Sequence, residues 1–175
     1  AAAAEAADER FATIQGLQAI GFAAGIRGRF TEAESAWSRS IAIARQERKL
    51  YRLTVGLGHL ALLLATQGRI EEAHPHLHEA KAMSPQWADS LFPEWEAIFH
   101  WFAGDFPAAL ASAQDAAARA TGELSKRRAI GVVFSALSAA EAGQTSQARA
   151  YLRRARQAYG DRDWQFFSHT CGHAE

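Results

Sequence analysis

The sequence predicts an all-α fold, a right-handed α-solenoid of about four helical hairpins, and three observations predict it. First, four short strings share one pattern: a turn glycine, an apolar residue two positions on in three of the four, and alanine five positions on. They are Gly28-Arg-Phe30-Thr-Glu-Ala33, Gly68-Arg-Ile70-Glu-Glu-Ala73, Gly104-Asp-Phe106-Pro-Ala-Ala109 and Gly143-Gln-Thr145-Ser-Gln-Ala148, with glycines 40, 36 and 39 residues apart. Second, small residues recur at fixed offsets from those glycines. Third, Pro75, Pro85, Pro93 and Pro107 all fall in the middle third, leaving long proline-free tracts whose apolar residues follow a helical spacing. Alternation of β-branched residues, the signature of a half-buried strand, is absent.

Each recurring residue has a physical task. Glycine takes the left-handed conformation that ends a helix at low cost. The apolar residue packs back on the turn, and the alanine lets two antiparallel helices approach closely. Seven residues before the glycines stand Gly21, Ala61, Ala97 and Ala136, the matching small sites on the first helices. Seven after the alanines stand Ser40, Ala80, Ala116 and Ala155, and Trp37, Leu77 and Leu152 fill the large position between. In the third repeat Ala113 takes that large position, and in the fourth Thr145 replaces the aromatic or aliphatic turn residue.

In chain order these signals place helices near 9–27, 31–47, 49–67, 70–83, 90–103, 107–121, 124–142, 146–160 and 163–173. The first eight pair into repeats near 14–47, 49–83, 90–121 and 124–160 of a single domain spanning 1–175. The ninth, with Trp164, Phe166 and Phe167, reads as a capping helix or the first half of a fifth repeat. Its aromatic character favours the partial repeat, because an end cap normally carries a polar outer face. The alanine-rich start lacks the basic and apolar regions of a signal peptide and reads as a helix fragment.

Over residues 14–160 the chain resembles the tetratricopeptide repeat, with small residues at three fixed sites, glycine at the turn, and Pro85 at a repeat end. Its longer period resembles the sensor arrays of LuxR-type bacterial transcription regulators. The resemblance implies a scaffold for signalling or transcription regulation, binding through the concave face lined by first helices. Residues implied on that groove are Phe22, Ile26, Leu62, Glu94, Ile98, Trp101, Phe102, Val133 and Leu137. The set is mostly apolar and lacks the Lys and Asn array with which related repeats clamp a chaperone's carboxylate tail. It suits a protein or peptide segment, or another domain of the same polypeptide. Trp95, Trp101 and Phe102 read as rigid interface anchors, and Trp95 and Phe99 read equally well as core within the repeat.

Composition narrows the alternatives. Hydrophobic residues make up 49% and charged residues 22%, enough apolar mass for a packed interior. Nineteen basic residues balance nineteen acidic ones, so there is no broad positive field for nucleic acid, and direct nucleic-acid binding is disfavoured. The one cysteine, Cys171, cannot form an internal disulfide, which favours a reducing, cytoplasmic setting, and no apolar run reaches the length of a membrane span. No phosphate-binding glycine string is present, and no catalytic residues, metal or cofactor are expected; the chain reads as a binding protein and not an enzyme. Two alternatives stand beside that reading. One is a segment of a multidomain transcription regulator or nucleotide cyclase that senses a small effector or an inhibitory protein. The other is a metal-binding or metal-dependent module using His74 and His78, four apart on one helix face. His169, Cys171 and His173 offer a weaker ligand set. Arg149, Arg153, Arg154 and Arg156, with Lys126, Arg127 and Arg128, read as a solvated convex face.

Overall fold

A computed structural model describes residues 2–83, 92–119 and 125–153. Among these the ordered elements are all helices: α1 (Ala2–Ile26), α2 (Phe30–Gln46), α3 (Leu50–Ala65), α4 (Ile70–Met83), α5 (Phe92–Phe102), α6 (Phe106–Arg119) and α7 (Ser125–Glu141), then α8 over 145–153. Helices α1 to α4 form one compact unit and α5 to α8 a second. None is long and apolar enough to cross a membrane. The expected helices end within a few residues of the observed ones, except that α1 begins at Ala2 instead of residue 9. Alanine is the strongest helix former, so the alanine-rich Ala2–Ala7 stretch extends the helix without help from periodicity. The expected helix at 163–173 and the end of the 146–160 helix lie outside the described residues.

The four turn glycines all adopt positive φ, between +72° and +78°. Each closes its helix with the same two bonds. After α1, the Arg29 N–H donates to the Ala24 carbonyl at 2.9 Å and the Gly28 N–H to the Gly25 carbonyl at 3.0 Å. The pairs Arg69 to Leu64 with Gly68 to Ala65, Asp105 to His100 with Gly104 to Trp101, and Gln144 to Ala139 with Gly143 to Ala140 repeat it. These are Schellman motifs, in which a left-handed residue just past the helix satisfies the last carbonyls.

A fifth turn of this kind, between α2 and α3, has no glycine. Lys49 donates to Ala44 at 2.9 Å and Arg48 to Arg45 at 3.3 Å, with Arg48 at φ +52°. A side chain in that conformation costs about 1 kcal/mol or somewhat more. Arg48→Gly is therefore expected to raise stability by about 1 kcal/mol and Gly104→Ala to lower it by a similar amount. In urea titrations the two midpoints should move in opposite directions; a shared direction would contradict the turn assignment.

Ala33, Ala73, Ala109 and Ala148 are all buried, as are Ser40, Ala80 and Ala116 on the second helices and Gly21, Ala61, Ala97 and Ala136 on the first. In the first unit α1 packs on α2, α2 on α3 and α3 on α4, and α1 also touches α3. Parallel helices α2 and α4 are tied near both ends. At one, Arg69 Nη1 donates to Glu34 at 2.7 Å while Nη2 donates to Glu72 at 2.6 Å; at the other, Arg45 meets Glu79 at 2.5 Å. The Arg69 hydrogen bond holds the Glu72 carboxyl below the usual carboxylate range. Arg10 of α1 pairs with Glu47, the residue just past the end of α2.

In the second unit α5 packs on α6, α6 on α7, and α5 also on α7. Asp105 caps α6 by accepting the Ala108 N–H at 3.1 Å, and Pro107 sits in the first turn, where its missing N–H costs nothing. Gln114 Nε2 donates to the Tyr151 hydroxyl at 2.6 Å, joining α6 to α8.

Candidate interaction surfaces

In the first unit, α1 and α3 lie side by side, and residues forty apart on them occupy equivalent places. Phe22 pairs in this sense with Leu62, and Ile26 with Thr66. Phe22 is 56% and Ile26 66% exposed, while Leu62 is half-buried. His59 of α3 is held between aromatic rings, stacked on Trp37 at 5.0 Å and 18° and meeting Phe22 edge-on at 6.2 Å and 74°. Its Nδ1 lies 2.9 Å from the Val55 carbonyl, a bond that fixes the ring's orientation. Trp37 is almost wholly buried, and its indole lies against Gly21 as well as His59. The exposed Phe22 therefore stands against an imidazole that is itself stacked on a buried tryptophan.

Polar groups bordering this face are directed to backbone. Gln18 Nε2 donates to the Arg52 carbonyl at 2.8 Å, bridging α1 to α3, and the Thr66 hydroxyl donates to the Leu63 carbonyl at 2.8 Å. What remains is an apolar surface with an aromatic floor, suited to apolar side chains of an incoming segment.

In the second unit the expected groove residues split by depth. Val133 is 5% exposed and belongs to the interior, and Glu94, Ile98, Trp101 and Leu137 are half-buried. Phe102 is exposed and meets Trp101 edge-on at 4.9 Å, and Trp101 meets Phe134 of α7 at 6.2 Å. The buried indole nitrogen of Trp101 has no acceptor among the described residues. Trp95 and Phe99 are core residues, Trp95 packed edge-on against Phe92 at 5.4 Å.

One cluster was not singled out from the sequence. The Arg52 guanidinium lies 5.2 Å from the Phe11 ring centroid and 5.7 Å from that of Tyr51, with Lys49 Nζ 5.9 Å from Phe11. Phe11 and Tyr51 are forty apart, so the repeat spacing itself was the available signal. Both are partly exposed, and the cationic groups cover their ring faces.

His74 and His78 do share a face of α4, their rings 6.3 Å apart and inclined by 20°. Both are exposed, and no group of three or more His, Cys, Asp or Glu able to hold a metal gathers among the described residues. Arg149 and Arg153 are exposed on α8. His169, Cys171, His173, Arg154 and Arg156 lie outside the described residues, as do the side chains of Lys126, Arg127 and Arg128. The chain matches no protein-family model, no curated protein and no solved structure.

Proposed function

We propose that this chain is a tetratricopeptide-like helical-repeat scaffold that holds a protein or peptide segment against the apolar face of its first helices, acting by binding and not by catalysis. The observation that carries the reading is the pair Phe22 and Ile26, one helical turn apart and both more than half exposed. Fully burying such a side chain is worth about 1.5–3 kcal/mol, so two adjacent ones make a hot spot once a partner excludes water. Backing of Phe22 by His59, itself stacked on Trp37, lowers the ordering cost of that contact. In the second unit Trp101 and Phe102 offer anchors of the same chemistry.

Photo-crosslinking tests this. Benzoylphenylalanine at position 22 or 26 should capture a discrete partner in the native host, whereas the same group at exposed Arg39 on α2 should not. Ile26→Ser should reduce capture at position 22 by tenfold or more and leave the urea midpoint unchanged. Equal adducts from positions 22 and 39 would overturn the proposal.

A further inference from the structure

Residues forty apart on α1 and α3 are structurally equivalent, yet one stripe of these two helices is treated oppositely. On α3 the stripe Arg52, Gly56, His59, Leu60 and Leu63 is covered by the preceding hairpin. Ile41 of α2 stands over Gly56, where an added Cβ would lie 2.9 Å from its Cγ1, and Trp37 of α2 stacks on His59. From α1, Gln18 bonds the Arg52 carbonyl, and Gly25 faces the Leu63 side chain, which a Cβ there would meet at 3.5 Å. Leu60 is accordingly only 5% exposed.

The equivalent stripe on α1 is Ala12, Gly16, Ala19, Ile20 and Ala23. It carries no charge and no hydrogen-bonding side chain. Nothing lies within 4 Å of a Cβ built on Gly16, and Ile20, the counterpart of Leu60, is 48% exposed. A solvent-facing helix surface normally carries polar residues, and this one repeats the small-and-aliphatic relief of a covered surface. Glycine in a helix interior costs about 1 kcal/mol relative to alanine. At Gly56 close approach of Ile41 accounts for it; at Gly16 no contact in the unit does.

We infer that the Ala12–Ala23 stripe of α1 is a docking surface for a further helical hairpin of the α1–α2 kind. The second helix of that hairpin sets an aliphatic side chain over Gly16, as Ile41 sits over Gly56, and an aromatic one against Ala19, as Trp37 sits against His59. The occupant follows from continuity with the α2–α3 interface: the register that seats α2 on α3 seats a like helix on α1. This surface borders the Phe22–Ile26 face, because Ala19 and Ala23 stand three residues before Phe22 and Ile26.

The test uses the full chain carrying Cys171→Ser and Ile20→Cys, and a second version in which residues 10–49 are repeated once in tandem. The repeat delivers an α2 directly ahead of an internal copy of α1, in the register that joins Lys49 to Leu50. With Ile20→Cys placed only in that internal copy, reaction of the thiol with a maleimide probe should slow at least tenfold relative to the unrepeated chain. Adding Gly16→Leu to the internal copy should restore fast reaction while the helical circular dichroism stays the same. Equal thiol reactivity in the repeated and unrepeated chains would overturn the inference. So would protection in the unrepeated chain that rises with protein concentration, because the occupant would then be a second copy of the chain. Protection that survives Gly16→Leu would also overturn it, by showing that the contact does not use this stripe.

Discussion

Replacing Gly21 by alanine is expected to lower the stability of the first unit by about 2 kcal/mol, although alanine is the better helix former. An added Cβ at Gly21 would lie 2.8 Å from Cε2 and Nε1 of Trp37, on the face of the indole. The ring has little room to move, because it is almost wholly buried and stacks on His59. Overpacking of this kind costs about 1–3 kcal/mol, which exceeds the gain in helix propensity of about 1 kcal/mol. Gly16→Ala on the same helix supplies the opposite sign. Its Cβ meets open space, so the propensity gain of about 0.5–1 kcal/mol appears undiminished. Equilibrium urea denaturation of both variants checks the pair, and stabilisation by Gly21→Ala would show that Trp37 is not fixed where it is described.

Ala73→Trp is expected to destabilise the same unit by about 3 kcal/mol or more. Ala73 is completely buried where α4 leaves the Gly68 turn. Ala33 holds the equivalent position on α2, with its Cβ 3.9 Å from where a Cβ on Gly25 would lie. By the forty-residue offset Ala73 faces Ala65 in the same way, and Ala65 is buried too. An indole there must either part α3 from α4 or unwind the first turn of α4. Ala33→Trp should cost about as much, while a tryptophan at exposed Ala82 should change stability by only about 0.5 kcal/mol. Equal heat stability of Ala73→Trp and the parent chain would disprove the helix register.

The parts of this fold legible from the residues are those whose cause is local. A glycine that must be left-handed and an alanine that must sit between helices are constrained by their own backbone and immediate neighbours. Gly28, Gly68, Gly104 and Gly143 therefore marked the turns, and the four alanines marked the contacts. Arg48 escaped notice because arginine carries no signal for positive φ; the packing of α2 on α3 imposes it. The contacts of Trp37 with Gly21 and His59 escaped for a related reason, since spacing along the chain does not say which ring lies against which glycine. For the candidate site, periodicity placed Phe22 and Ile26 on one face of α1 but could not distinguish them from Val133, which the structure buries. That distinction depends on which neighbouring helix covers the position, a property of packing and not of composition.

The two bonds at each Schellman turn join residues no more than five positions apart, and in both units the main helix contacts join consecutive elements. Little chain entropy is lost before these contacts form, because each closes only a short loop. Refolding from denaturant should be correspondingly rapid for a protein of this size. During synthesis, the α1–α2 hairpin can zip together while α3 is still emerging from the ribosome. Early assembly of that kind keeps Leu57, Leu60 and Leu64 from lingering in water, where they would invite aggregation.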